Sequence, residues 1–287
     1  MKHQPRVKSG KAYAKINLTL EVMGQREDGY HEIASVVQVI NFGDILSFQL
    51  REHVYLACNI PQLASPNNLV FKAARWLQDF SGSSSGVAIS LEKVIPLASG
   101  LGGGSSDAAL TLQVLDEIWG LHLTPENLER IAANLGSDIS FFLSGGRTAL
   151  VEGRGEKVTR LPLLPKTWVV LVKPPIEVAN KTKKMYASLV PSSFTQGEFT
   201  RNVVERIRRG ERITPQFCYN VFDEVAFSFF PGLDEYRLRF LAAGASQVHL
   251  AGTGPTLFTL AQERAQGEEI CRRLKKERIE VYLTETL

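Results

Sequence analysis

Apolar side chains recur at alternate positions through Ala12, Ile16, Leu18, Leu20 and Val22, and again at Ile33, Val37 and Val39 around Ser35. A period of two predicts strands over 12–22 and 33–39, each with one buried face. The polar stretch 24–29 between them carries Asp28-Gly29, a hairpin-type turn signal. A further strand is expected over 44–50 and a helix over 67–80, on a seam of Ala73, Ala74 and Leu77. The 87–91 segment reads as a strand that runs through Pro96 into a glycine-dense loop. Over 107–119, Ala108, Leu112, Leu115 and Trp119 form one helical stripe. A second helix is expected from Thr124, an N-cap residue followed by Pro125 in the first turn, with a stripe of Leu128, Ile131, Ala132 and Leu135. Gly136 suits its C-terminal end.

Beyond Gly145-Gly146 the pattern predicts two short strands around the 153–155 turn, then a proline-marked crossing at 161–165. That crossing is the candidate boundary between domains at 1–162 and 163–287. The second half offers a strand at 168–173, several helices up to Ala243, a hairpin-like pair over 248–260, a charged helix ending near Glu277 and a last strand at 280–284. There is no internal repeat, and 81–86 reads as a flexible loop.

Composition narrows the classes. The 287 residues are 44% hydrophobic and 22% charged, ordinary for a globular protein with a substantial core. A net charge of +3 suits a protein that handles anionic metabolites and is too weak to indicate nucleic acid. The densest basic run, 201–212, is interrupted by Glu205 and Glu211 and reads as a solvated helix face. No nucleic-acid-binding motif accompanies it. The three cysteines, Cys58, Cys218 and Cys271, stand apart from one another and from metal-spaced histidines, so zinc and disulfide frameworks are not expected. Residues 1–11 are basic without an apolar h-region, and no stretch reaches the ~18 apolar residues of a membrane span. A soluble, cytoplasmic protein is expected.

The strongest local signal is the segment Pro96, Leu97, Ala98, Ser99, Gly100, Leu101, Gly102, Gly103, Gly104, Ser105 and Ser106, between an expected strand and an expected helix. Its glycines let a ligand approach the backbone. Its N–H groups and those opening the helix offer an anion site at the positive end of the helix dipole. A plain turn that needs small residues is the alternative. The segment is not a Walker A loop, because GxxxxGK[ST] is absent. It also departs from the GxGxxG of dinucleotide dehydrogenases.

This segment resembles the PxxxGLGSS signature of the GHMP kinases. In its longer PxxxGLGGGSS form it is similar to the branch of that superfamily that acts in the non-mevalonate route to isoprenoid precursors. Ala14-Lys15-Ile16-Asn17-Leu18, Asp28-Gly29-Tyr30-His31, Gly136-Ser137-Asp138 and Gly252-Thr253-Gly254-Pro255-Thr256 match that branch in order, across about residues 11–260. The AKINL and DGYH segments are the specific ones, since GHMP kinases at large share only the loops. Two departures stand out: Ser140 replaces the usual Pro two residues after Asp138, and 177–182 is a loose version of the V-S-T pattern of the family.

The resemblance implies an α+β fold of two lobes, with the active site in the cleft between them. It implies ATP-dependent phosphorylation, assisted by Mg²⁺, of the 2-hydroxyl of a small cytidine diphosphate-linked sugar alcohol. No acidic residue announces itself as the metal ligand. Lys15 and Asp138 take the catalytic roles. Read as residues alone, Asp138 is either a general base or an N-cap, and Lys15 either a snorkelling strand lysine or a partly desolvated cation. Tyr30 and His31 resemble the cytidine clamp of the family. Asn17, on the strand face of Lys15, and Thr182 are expected to bind substrate, and Asn68, Leu69 and Lys93 the adenine, although an Asn before a helix commonly serves as a cap. Two rivals remain: a GHMP kinase for another small alcohol, which the Tyr30-His31 pair disfavours, and an inactive nucleotide-binding sensor, which retention of Lys15 and Asp138 disfavours.

Overall fold

A computed structural model of the chain describes residues 7–178 and 180–287. The two alternating segments near the start become long strands, β1 (Val7–Gln25) and β2 (His31–Arg51). The turn between them closes as its sequence suggests. Arg26 and Tyr30 pair N–H to carbonyl at 2.7 Å, and Gly29 sits at φ +81°. The Asp28 carboxylate accepts the Tyr30 N–H at 3.1 Å. Residues 44–50, expected as a separate strand, are the far end of β2. The strand continues past Gly43 because that residue has no Cβ, which would stand 2.5 Å from the Ala12 carbonyl oxygen.

The chain forms two compact units, and β1 and β2 each contribute to both. Of the described residues, the first unit comprises 7–14, 42–95 and 102–145. It adds β3 (Tyr55–Cys58), α1 (Leu69–Ser81), β4 (Gly86–Glu92), α2 (Gly103–Ile118), α3 (Pro125–Leu135) and α4 (Ser137–Leu143). β4 runs antiparallel to the end of β2, setting Leu46 opposite Leu91 and Phe48 opposite Ile89, and pairs in parallel with β3. Leu46, Phe48 and Ile89 are buried with Val70, Ala73, Ala74 and Leu77 of α1, Leu112 and Leu115 of α2, and Ile131 of α3. Each of the Val, Leu, Ile and Phe side chains among them contributes about 1.5–3 kcal/mol by leaving water. Thr124 and Pro125 open α3 as expected. α2 begins four residues before the expected 107, so Gly103, Gly104, Ser105 and Ser106 form its first turn and Gly102, at φ +72°, is its N-cap.

Of the described residues, the second unit comprises 15–41, 96–101, 146–178 and 180–287. It adds β5 (Thr148–Gly153), β6 (Lys157–Arg160), β7 (Trp168–Val172), α5 (Lys181–Ala187), α6 (Glu198–Arg208), β8 (Tyr219–Asn220), α7 (Asp223–Phe229), α8 (Leu233–Ala242), β9 (His249–Leu250), β10 (Leu257–Ala261), α9 (Arg264–Lys276) and β11 (Val281–Glu285). β5 pairs antiparallel with the start of β2, and β8 pairs in parallel with β1 at Thr19 and Leu20. A separate antiparallel sheet has the order β11-β7-β10-β9. Val170, Val172, Met185, Phe222, Phe230, Phe240, Ile270 and Leu274 share its core. The basic run over 201–212 is amphipathic: α6 buries Thr200, Val203, Val204 and Ile207. The expected boundary at 162/163 falls within this unit, shortly after β6.

Within the second unit the loop segment 96–101 lies backbone to backbone against the 251–256 turn between β9 and β10. Thr256 donates its N–H to the Ser99 carbonyl at 3.3 Å, and Lys15 donates its own to the Leu101 carbonyl at 2.9 Å. Gly100 is at φ +87°, and any Cβ there would overlap the Ala251 carbonyl oxygen. Gly100→Ala is therefore expected to lose roughly 2–5 kcal/mol of stability from backbone strain and overpacking together. Urea denaturation checks this, and an Ala variant as stable as the parent would contradict the packing.

Candidate active site

Lys15 does not snorkel. It is 5% exposed, and its Nζ donates to Asn17 Oδ1 at 2.8 Å. Asn17 passes the order on, donating from Nδ2 to Ser35 Oγ at 2.8 Å, and Ser35 donates to the Thr19 carbonyl. Strand alternation puts Lys15, Asn17 and Thr19 on one face, so β1 itself aligns this relay. The relay lies beneath the second glycine segment, since a Cβ on Gly252 would come within 3.2 Å of Lys15 Nζ. Asn220 holds that segment from below, donating from Nδ2 to the carbonyls of Leu250 and Gly252 at 3.0 and 2.8 Å. It is 3% exposed, and an Asn inside the apolar run 218–222 was the available signal for it.

α5 ties the substrate-side residues together. Thr182 Oγ1 lies 3.2 Å from Thr253 Oγ1, and Lys181 Nζ donates to the same hydroxyl at 3.0 Å. Ala179, in the loosely matching 177–182 segment, lies outside the described residues. Tyr186, one helical turn beyond Thr182, packs against the His31 ring at 5.1 Å between centroids, and Phe194 meets it edge-on at 6.2 Å. Burial lowers the His31 pKa. Arg154 lies over the Tyr30 ring at 4.7 Å, leaving Tyr30 54% exposed. The structure thus brings His31, at the start of β2, and Thr182 to one short helix, α5, with Tyr186, Phe194 and Lys181 as partners that sequence reasoning missed. The i, i+4 spacing of Thr182 and Tyr186 was the readable clue.

The remaining expected residues lie in the first unit. Asn68 uses its side chain locally: Oδ1 accepts the Val70 N–H at 2.9 Å as the N-cap of α1, and Nδ2 donates to the Leu63 carbonyl. Leu69 begins α1 next to it, 3.6 Å from where a Gly104 Cβ would stand. Lys93 joins two buried carboxylates, donating from Nζ to Asp44 at 2.5 Å and to Asp107 at 3.0 Å. Gly103 is buried, and a Cβ there would lie 2.9 Å from Ile95 and 3.0 Å from Lys93 Nζ. Gly103 is therefore small for internal packing, whereas Gly104 is exposed. Ser105 is half-buried and Ser106 buried.

Asp138 is exposed in the first turn of α4. It is not the N-cap: Gly136 ends α3 and also caps α4, without any side-chain cap bond. Ser140, where the family has Pro, is buried within α4, and its carbonyl accepts the Ser144 N–H at 3.0 Å.

Burial pushes the Asp107 carboxyl up to about 7, against the attraction of Lys93 and with repulsion from Asp44 adding to it. Burial also works to lower the Lys93 pKa, but the two carboxylates outweigh it and the net shift is upward. An acid with a raised folded pKa keeps its proton in the fold after the unfolded chain has released it. Its stabilising effect is present at low pH and disappears as pH rises from about 4 to about 7. Asp107→Asn should therefore flatten that part of the stability–pH curve, measured by urea denaturation from pH 4 to pH 8. A parallel curve for the variant would show that Asp107 titrates normally.

Comparison with known proteins gives the family. The family of GHMP kinases N terminal domains matches residues 68–146, and that of GHMP kinases C terminal domains residues 199–280. The chain is 43% identical over 277 residues to the 4-diphosphocytidyl-2-C-methyl-D-erythritol kinase of Dehalococcoides mccartyi strain BAV1, covering 96% of this chain and 97% of that one. It is 39% identical to the enzyme of the same name from Acaryochloris marina, covering 92% and 90%. A crystal structure of 4-(cytidine 5'-diphospho)-2C-methyl-D-erythritol kinase superposes with a TM-score of 0.81 at 32% identity, covering 97% of this chain and 99% of that one. With both glycine segments in place and this likeness running almost end to end, the chain belongs to the GHMP kinases, in the family of the 4-diphosphocytidyl-2-C-methyl-D-erythritol kinases.

Proposed function

We propose that the chain transfers the γ-phosphoryl group of ATP to the 2-hydroxyl of 4-diphosphocytidyl-2-C-methyl-D-erythritol, giving ADP and the 2-phosphate. The observation that carries this reading is the substrate-side cluster of the second unit. His31 packs against Tyr186 and Phe194, and the neighbouring Tyr30, with Arg154 over one face of its ring, is 54% exposed. A lowered pKa keeps the His31 imidazole neutral, so it can both donate to and accept from a base edge. Tyr30 supplies a stacking face for the cytosine. The names of the relatives support the same substrate. A kinase for mevalonate phosphate or homoserine would have no use for this nest.

In this reading the free N–H groups of the first turn of α2, with Ser105 and Ser106, receive the ATP phosphates at the positive end of the helix. Asn68, as cap, and Leu69 shape the start of α1 on the adenine side. Asp138 accepts the proton of the attacking hydroxyl, and Lys15, held by Asn17, stabilises negative charge on the transferring group. Thr182 contacts substrate from α5. Among the described residues no three His, Cys, Asp or Glu side chains converge as a metal site. The hydroxyls of Ser105 and Ser106, beside the phosphate-binding turn, are the protein ligands that would suit Mg²⁺, whose chemistry when bound is to neutralise charge on the nucleotide phosphates. No helix among the described residues is long and apolar enough to cross a membrane.

Asp138→Asn tests the reaction. General-base catalysis contributes about 10²–10⁴ in rate. Turnover, followed by ADP release, should fall by that factor, while KM for both substrates stays within a few fold. A variant that keeps more than about a tenth of parental turnover would remove Asp138 from the chemistry.

A further inference from the structure

The glycine segment has a buried ionic clasp at its base. Asp44, near the middle of β2, is fully buried and accepts from the N–H groups of Val94 and Ile95 at 2.6 and 2.8 Å through Oδ1, and from Lys93 Nζ through Oδ2. It thus fixes the backbone just before Pro96. Lys93 then reaches Asp107, in the second turn of α2, just after the glycines. The two ends of the 96–106 segment are therefore joined through one ammonium group. All three side chains are nearly inaccessible: Lys93 is 5%, Asp44 0% and Asp107 3% exposed.

Burying three charges is an inefficient route to stability. Desolvation offsets most of the Coulomb gain, and apolar side chains of similar volume often stabilise as well or better. Asp107 shows that cost, since its Oδ1 is buried with no hydrogen-bond partner. What a clasp of this kind offers over apolar packing is direction, because its donors and acceptors admit one arrangement of the two chain ends. Gly103 fits this account, its hydrogen standing where a Cβ would press on Lys93 Nζ and Ile95.

We infer that Asp44, Lys93 and Asp107 are positioning residues for ATP, a clasp that sets the spacing between the 93–95 segment and the first turn of α2 and so the geometry in which the glycine segment receives phosphate. Lys93 acts through the loop, and its charge is committed to the two carboxylates. The inference rests on the glycine segment being the ATP site, as proposed above.

The test compares steady-state kinetics and thermal melting of Lys93→Met, Asp44→Asn and Gly104→Asp with the parent. Lys93→Met removes the central cation. Asp44→Asn keeps an oxygen for the two N–H groups but turns an amide toward Lys93. Gly104→Asp is the control for the site itself: position 104 is exposed with room for a Cβ, and the change puts a negative charge where phosphate should bind. A mispositioned site commonly loses about 10²-fold. KM for ATP should therefore rise about 10- to 100-fold in both clasp variants. KM for the cytidine substrate should stay within about twofold, because the clasp touches only the nucleotide side.

If Gly104→Asp leaves KM for ATP unchanged, the glycine segment is not the ATP site, and the proposed reading fails together with the clasp. If Gly104→Asp abolishes ATP use but the clasp variants keep the parental KM for ATP, the clasp inference alone fails. It fails equally if both KM values rise together with a lowered melting temperature, or if neither clasp variant folds, since the cluster would then support the fold without orienting the nucleotide.

Discussion

The close approach of two backbone segments underlies the part of the site that lies in the second unit. Gly100 meets the Ala251 carbonyl with no room for a side chain, and Gly252 lies over the Lys15 ammonium with little more. A loop that faces an anion must leave its N–H groups uncommitted, so it cannot be stiffened by its own hydrogen bonds. Here the stiffness comes from its neighbours. Ser99 and Leu101 give their carbonyls to Thr256 and Lys15, and Asn220 fixes the carbonyls on the other side of the turn. The glycines are the condition for that contact, and their use here is steric as much as conformational.

The polar residues of the site are arranged in chains in which each group orients the next. Lys15 is set by Asn17, Asn17 by Ser35, and Ser35 by a backbone carbonyl. Lys93 is set by Asp44, which also grips the backbone that carries Lys93. Groups fixed in this way need little reorganisation when charge develops, which is where enzymes gain most over water. A lysine left to snorkel would have to be ordered in every turnover.

Much of this was legible in the sequence because short-range rules decide it. The alternation of β1, the Asp28-Gly29 turn, the Thr124-Pro125 helix start and the 153–155 turn each follow from a few adjacent residues. The start of α2 was not legible: four low-propensity residues, Gly103 to Ser106, are helical because tertiary packing on Ile95 and Lys93 holds them there. β3 and β8 are four and two residues long, too short for a periodic signal. Of the site, motif residues were readable and their supports were not. Asp44, Asn220 and Tyr186 lie far in sequence from the groups they orient, and only the folded chain pairs them. The role expected of Gly103 changed for the same reason, since its open side faces the protein interior.

The most direct measurement of the central claim is ADP release by the purified enzyme with ATP and, in turn, 4-diphosphocytidyl-2-C-methyl-D-erythritol, phosphomevalonate, mevalonate and homoserine. The product is assigned by phosphorus NMR. The account predicts turnover with the cytidine-bearing substrate, a new phosphate ester at its 2-position, and no turnover above background with the others. Turnover with an alcohol that lacks cytidine, or an ester at another position, would contradict it.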